Sequence, residues 1–360
     1  MISIGVWNTA FLGDAVLTLP LLQSLRASYP DAVIHFWVRK GFAQLFTAHP
    51  AINAVFEYDK RGDGKGIFSA MHLGTKLAEA KHSVWISAHS SIRSAFLAHK
   101  SNAKIRIGYD RPHINSWFYT HTVPRRFTEL DEIERLNQLL EPLALDHKQD
   151  WPQIFLPSEA ETESEALLSP LWKKSEDAPI LGLHPGSVWA TKRWPTSYFA
   201  EIGVKALESG ACIALFAGPG EEGMANAVKD TLLAVAGKSA KERLLDLSGK
   251  LSLPLLAACL GRLDCYLTND SGPMHLAWAQ NTPVVALFGP TVRELGFFPK
   301  GDSATVVEID IPCRPCGLHG PSTCPLGHHD CMNKMTPDMV WTQVEKRLFA
   351  KGSLTDFYSL

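Results

Sequence analysis

The stretch CYLTNDSGPMHLAWAQNTPVVALFGPT, Cys265 to Thr291, constrains the fold of this chain more than any other. A short apolar run, Cys265 to Thr268, meets the polar turn Asn269-Asp270-Ser271-Gly272. A helical pattern follows, with Pro273 in its first turn, where a missing N–H costs nothing. Asn281-Thr282-Pro283 stops that helix, and a second apolar run, Val284 to Phe288, ends in Gly289-Pro290-Thr291. Two strands joined through one helix lie parallel, with a right-handed crossover. Ligands of such sheets bind beyond the carboxyl ends of the strands, which is where the polar turn falls. Its parts suit an anionic, hydroxyl-rich ligand: free N–H groups at a helix start, the Ser271 hydroxyl, Gly272 for close approach, and His275 on the first turn. Asp270 repels a lone phosphate but accepts hydrogen bonds from a polyol, so a sugar attached to a phosphate uses both halves. A plain helix N-cap at Asp270 or Ser271 is the other reading.

The same alternation runs through the chain. Strand-like runs at Ile2 to Val6, Val33 to Val38, Ala54 to Tyr58, Val84 to Ser87 and Lys104 to Ile107 are separated by helical patterns. These begin at Gly13-Asp14 (with a kink at Pro20), Phe42 to His49, Ile67 to Ala80 and Ser91 to Ala98. Tyr109 to Phe127 reads as a loop rich in aromatic and basic residues, and Glu129 to Leu143 as a helix. A second series starts at Ile180 to Leu183 and continues with a helix over Ser197 to Ser209, a strand over Ala211 to Phe216, a helix over Glu221 to Leu233, a short strand over Leu244 to Leu247 and a helix over Leu253 to Leu260. The pattern predicts an α/β chain of two doubly wound, Rossmann-like domains facing a central cleft: residues 1–160, then 178–335. The region Pro157 to Pro179 lies between them, with a helix over Glu161 to Leu168 as an option. Met339 to Ala350 forms a closing helix in a segment, 336–360, that could pack back on the first domain.

At 360 residues the chain suits two domains. A charged content of 20% and a net charge of −2 exclude the global basicity of a nucleic-acid binder, so an anionic partner must be met by a local patch. The amino terminus does not read as a secretory signal, and no apolar run approaches the roughly 20 residues of a membrane span. These features predict a cytoplasmic protein with at most peripheral membrane contact.

Three further loops carry candidate chemistry. Gly13-Asp14 opens a helix whose positive end favours an ionised Asp14, a base of modest strength, while Gly13 admits a substrate; a cap with no chemistry is the alternative. HPGSVWATKRWP, His184 to Pro195, puts Ser187, Thr191, Lys192 and Arg193 between a strand and a helix, a combination that holds a phosphate or pyrophosphate without a metal. Gly218-Pro-Gly220-Glu-Glu-Gly223 matches the dinucleotide fingerprint, but Glu221 and Glu222 would repel a pyrophosphate and instead suit ribose hydroxyls. No Asp-x-Asp triplet occurs, so that common device for a diphosphate-bridging metal is absent from the sequence.

Cys313, Cys316, Cys324 and Cys331, interleaved with His319, His328 and His329, admit a structural zinc site, with free or redox-active thiols as the alternatives. Cys212, Cys259 and Cys265 fall in core patterns.

Taken together, GDAVLTLP, HPGS...ATKRWP and TNDSGPMHLAWAQNTPVVALFGPT resemble the bacterial ADP-heptose:lipopolysaccharide heptosyltransferases, glycosyltransferase family nine. The resemblance covers nearly the full length. It implies a GT-B architecture and an inverting, metal-independent transfer of heptose from ADP-heptose to a lipopolysaccharide core or lipid A-Kdo acceptor. By motif position, Asp14 looks like the general base and Lys192 like the group on the donor phosphate. Asp270, Ser271, Gly272 and His275 look like the donor sugar and phosphate site, and Glu221 and Glu222 like the ribose contact. No cofactor is required, zinc being at most structural. Arg93, Arg125 and Arg126, among the basic residues of the first domain, are candidates for meeting the anionic acceptor. The competing classes are a same-fold transferase of another nucleotide sugar or glycan, a non-catalytic nucleotide-sugar binder, and an NAD-dependent dehydrogenase.

Overall fold

Two six-stranded, wholly parallel sheets organise the chain. The structure, a computed structural model, describes residues 1–59, 67–146, 151–173 and 178–350. It divides into two compact units: Met1–Pro157 with Glu294–Phe297, and Ser158–Arg293 with Phe298–Leu360.

The first unit runs β1 (Ser3–Asn8), α1 (Leu12–Leu17), α2 (Leu19–Ser28), β2 (Val33–Arg39), β3 (Ala54–Tyr58), α3 (Ile67–Glu79), β4 (Val84–Ser87), α4 (Ile92–Lys100), β5 (Ile105–Tyr109), β6 (His121–Val123) and α5 (Glu132–Asn137). Its strand order is β3-β2-β1-β4-β5-β6. The first strand is therefore central and the order reverses between β1 and β4, the crevice where doubly wound sheets bind ligands. Trp7, Trp37 and Trp85 on the three middle strands pack with Tyr58 and Leu77 into one core cluster.

The second unit repeats this order. It runs α6 (Ser158–Trp172), β7 (Ile180–His184), α7 (Thr196–Glu208), β8 (Cys212–Leu215), α8 (Glu222–Arg243), β9 (Leu244–Asp246), α9 (Leu253–Leu260), β10 (Cys265–Asn269), α10 (Gly272–Ala279), β11 (Val284–Phe288), β12 (Ala304–Glu308), α11 (Asp330–Asn333) and α12 (Pro337–Leu348). The sheet reads β12-β11-β10-β7-β8-β9, so its reversal lies between β7 and β10. Both strands are buried along their length, as a parallel sheet covered on both faces requires.

Several expectations change. The helix expected over Phe42 to His49 is a single 3-10 turn, Ala43–Leu45, with the Glu57 carboxylate accepting the Gly41 and Ala43 N–H groups at its start. The region read as loop, Tyr109 to Phe127, contains a 3-10 turn at His113–Trp117 and the sixth strand, β6, whose three residues are too few to show a period. Helix α5 passes into a 3-10 turn, Gln138–Leu143, where Pro142 lacks the N–H an α-helix needs. The region between the domains is largely helix α6, which packs on α9 and belongs to the second unit; its residues 174–177 lie outside those described. Strand β12 carries no signal strong enough to have been read. Finally, α12 is built into the core of the second unit. Its Val340, Val344 and Leu348 are buried in the second core with Phe199 and Met335, and the tail, 351–360, is outside the described residues.

If α12 is part of that core, Val344→Ala removes two buried methyl groups and leaves a void. It is expected to cost about 2 kcal/mol, read as a lower urea midpoint with an unchanged slope.

Candidate active site

The polar turn after β10 is the centre of the second unit's site. Lys192 ends a 3-10 turn, Ala190–Lys192, in the loop after β7, and its Nζ lies 2.5 Å from Asp270 Oδ2. The Thr291 hydroxyl, just past β11, donates to the same oxygen at 2.6 Å. All three residues are buried. Burial opposes the Asp270 charge, but Lys192, the Thr291 hydroxyl and the nearby His275 outweigh it and hold the carboxyl below its usual value. Asn269 ties the two loops together: its amide donates to the carbonyls of Pro185 and Gly186, and its oxygen accepts the Trp194 N–H. The β7 loop and the β10 turn are thereby held at the strand-order reversal.

Helix α10 begins here without a side-chain cap. Ser271 occupies the N-cap position but makes no side-chain cap, its hydroxyl turning to Thr268 at 3.4 Å, and the Asp270 carboxylate is spent on Lys192 and Thr291. The plain-cap reading is thus set aside; Pro273 has no N–H and the Met274 N–H donates to the Ser271 carbonyl, which leaves the Gly272 N–H as a candidate donor to an anion. His275 is buried on that helix, and its Nδ1 has no hydrogen-bond partner among the described residues. Burial lowers its pKa to about 4, with Asp270 pulling up and Lys192 down, so the ring is neutral at physiological pH.

The glutamate loop is built differently from the fingerprint it matches. Glu221 Oε2 accepts the Gly218 N–H and faces His184 Nε2 at 3.2 Å, while His184 Nδ1 pairs with the Tyr266 hydroxyl at 2.6 Å. Glu222 takes the Gly220 N–H. The amides a dinucleotide pyrophosphate would need are occupied, which removes the basis for a dehydrogenase. Burial works against the Glu221 charge, but His184, the Gly218 N–H and Arg193 keep its pKa below normal. A Cβ on Gly186 would lie 2.1 Å from the Glu221 carboxylate, so a larger residue there would displace that carboxylate. Arg193 donates through Nε to the Ser187 carbonyl at 2.7 Å.

The cysteine-bearing loop turns out to be part of this site. Arg314 donates to the carbonyls of Phe288, Gly289, Thr291 and Ile309 and to Glu308, pinning the end of β11. The Cys316 N–H donates to Pro290. Thr191 is held from both sides, its hydroxyl donating to the Pro321 carbonyl at 2.5 Å and its own carbonyl facing His329 Nε2 at 2.7 Å. Sequence reasoning missed Asn269, Thr291, Arg314 and His329 as site residues; a lone arginine between cysteines carries no pattern. The zinc expectation finds no support: among the described residues no three His, Cys, Asp or Glu side chains are grouped to hold a metal ion, and the cysteines are free thiols. Cys324 is held below the usual thiol value, first by the His329 N–H, whereas burial pushes Cys331 up to about 11. Cys212, Cys259 and Cys265 are buried packing residues, as expected.

In the first unit the corresponding reversal carries Asp14. It is the third residue of α1, and its carboxylate reaches back to the Phe11 N–H at 3.0 Å. Burial and the charge of Glu132 raise its pKa to about 6, against the Phe11 N–H and Arg125. Asp14 is therefore a stronger base than a helix start alone would make it. Gly13 is buried beside it. Arg125 is turned inward, contrary to its expected acceptor role. It grips Glu132 through two contacts of 2.7 and 2.9 Å, donates to Ser90 and stacks over Tyr109 and Phe127. Arg135, fully buried, holds the other side of Glu132 and the Leu295 carbonyl. Arg93 donates to the Tyr58 hydroxyl at 3.2 Å, and Arg126 is exposed.

A sequence model described as glycosyltransferase family 9 (heptosyltransferase) matches residues 70–323. The chain belongs to glycosyltransferase family 9. This heptosyltransferase is 26% identical over 339 residues to the lipooligosaccharide heptosyltransferase 2 of Campylobacter jejuni, covering 94% of this chain and 96% of that one. Its fold is that of a solved glycosyl transferase family 9 structure from Veillonella parvula, with TM-score 0.83, 24% identity and coverage of 96% and 97%. The structure titled E. coli ADP-heptose lps heptosyltransferase II is also similar, with TM-score 0.75, 22% identity and coverage of 97% and 98%. The two parallel sheets are thus those of a GT-B transferase.

Two consequences are measurable. Arg314→Gln, which strips the donors from the Phe288, Gly289 and Thr291 carbonyls, is expected to lower the melting temperature, and Arg314→Lys to restore only part, because one ammonium cannot replace a planar fork. For Asp14, a folded pKa of about 6 against an ordinary 3.8 means that the folded state binds the proton more tightly. Its contribution is full below about pH 4 and is lost as pH rises through 6. Asp14→Asn, which cannot ionise, is expected to melt higher than the parent at pH 8 and level with it at pH 4.

Proposed function

We propose that this family 9 enzyme transfers heptose from ADP-heptose to the inner core of lipopolysaccharide, with inversion at the anomeric carbon and without a catalytic metal. The observation that carries the donor half is the Lys192–Asp270–Thr291 group beside the uncapped start of α10. Lys192 has three N–H donors, of which Asp270 takes one, so two remain for diphosphate oxygens. Asp270 then acts by aiming the ammonium, and the helix start supplies the Gly272 N–H, a further donor that needs no rearrangement as charge develops on the leaving diphosphate. Neutral His275 can present a donor or an acceptor to the sugar. Glu221 and Glu222 bring carboxylate oxygens near the nucleoside, although each already accepts a backbone N–H. A solved neighbour whose title names ADP-heptose agrees with this donor.

Asp14 is the proton acceptor in this reading. The acceptor hydroxyl attacks the anomeric carbon as the bond to the diphosphate breaks, and its proton passes to the Asp14 carboxylate. A pKa of about 6 leaves Asp14 ionised at neutral pH yet more basic than an ordinary aspartate, which suits this task. The reaction requires the first unit's base and the second unit's donor to meet on one pair of substrates. The setting is cytoplasmic, with the acceptor anchored in the inner membrane; no described helix is long and apolar enough to cross a membrane.

Calorimetry with ADP-heptose against UDP- and GDP-sugars tests the donor, with ADP-heptose expected to bind at least about tenfold tighter; a UDP- or GDP-sugar binding as well overturns it. Turnover is expected to survive EDTA and to fall about tenfold per pH unit below 6, the slope of a single ionisation. Asp14→Ala is expected to lose orders of magnitude in turnover while still binding donor. Near-normal turnover in that variant would remove Asp14 from the chemistry.

A further inference from the structure

Residues 89–126 hold seven Lys or Arg and a single acid, Asp110, in a chain whose net charge is −2. Within this basic span, the crossover from β5 to β6 contains the 3-10 turn His113–Trp117 instead of a helix. In a 3-10 helix residues three apart eclipse one another, so Ile114 and Trp117 form one stripe. They are 42% and 81% exposed. This exposure is not the product of a loosely held loop. The Asn115 amide donates to the Arg111 carbonyl, Phe118 packs edge-on against Phe96 and His99 of α4, and the Arg106 guanidinium donates to the carbonyls of Phe118 and Ala103. The turn is anchored at both ends while its two apolar side chains point outward. Lys104, immediately before the preceding β5, and Arg111, two residues before the turn, are exposed.

We propose that this turn docks the enzyme onto an anionic lipid bilayer, with Trp117 and Ile114 entering the interfacial layer and Lys104 and Arg111 meeting lipid phosphates. A tryptophan suits the boundary, since its ring is apolar and its N–H stays wet. Nearby cations add attraction to an anionic surface that salt screens. Two apolar side chains are too few for a stable protein interface, which buries roughly 800 Å² on each partner, but they suffice for interfacial insertion. The docking stands apart from the donor assignment, because the turn and the cradle belong to different units.

The test is co-sedimentation of the full chain with vesicles of phosphatidylglycerol and phosphatidylcholine against phosphatidylcholine alone. Binding is expected to the anionic vesicles only and to decline with salt. I114S/W117S is expected to lower partitioning at least about tenfold, W117F to keep most of it, and K104E and R111E to lower it about fivefold or more each. Calorimetric binding of ADP is expected to be unchanged in every variant, which separates loss of docking from loss of fold or donor site. Wild-type chain that stays in the supernatant, or I114S/W117S that sediments like wild type, overturns the proposal. So does a lipid-free dimer that W117S dissociates, which would assign the stripe to a second copy.

Discussion

The buried pair of Lys192 and Asp270 is the interaction on which the second unit's site depends. Removing two charges from water costs several kcal/mol per ion, and the pair offsets this only because its geometry is close and Thr291 adds a further hydrogen bond to the carboxylate. Each partner comes from a different strand end, and each loop must be held independently for the three atoms to meet. Asn269 supplies that restraint on one side, and Arg314 with its four carbonyl acceptors on the other. The cysteine-bearing loop therefore contributes scaffolding, through an arginine, a histidine and a proline carbonyl rather than through its thiols.

The two units share one topology and use the same point of it for opposite electrostatic ends. In each, the loop after the first strand lies at the reversal of strand order. In the first unit, burial and an acidic neighbour raise the carboxyl of Asp14; in the second, a lysine and a hydroxyl lower that of Asp270. Two aspartates flanking the reversal, one after β1 and one after β10, are thus driven apart, one toward accepting a proton and the other toward remaining charged as a fixed anchor.

The cluster around Glu132 shows how the first of these environments is maintained. Arg125 and Arg135 take up Glu132 from two sides, and without them a buried carboxylate would stand uncompensated beside Asp14. Arg125 looks like a surface cation in the sequence because its neighbours Pro124 and Arg126 are exposed polar or turn-forming positions. Only the bend between β6 and α5 turns it inward, onto Tyr109 and Phe127.

The sequence by itself determined the alternation of strands and helices, the parallel sheets and the loops that hold the candidate site residues. Those features are periodic or local: Pro273 in a first turn, the apolar runs of β10 and β11, and two cations after β7 can each be read within a dozen residues. Three-residue β6 and the edge strand β12 escaped because too few residues express a period. The tertiary structure alone decided that Asp270 faces Lys192 and leaves α10 uncapped, that Glu221 closes the amides of an apparent dinucleotide loop, and that Arg314 reaches back to β11. Each of these joins residues from loops that lie far apart in the chain, and a carboxylate's choice among a cap, a cation and a ligand depends on which partner the fold brings within hydrogen-bond distance.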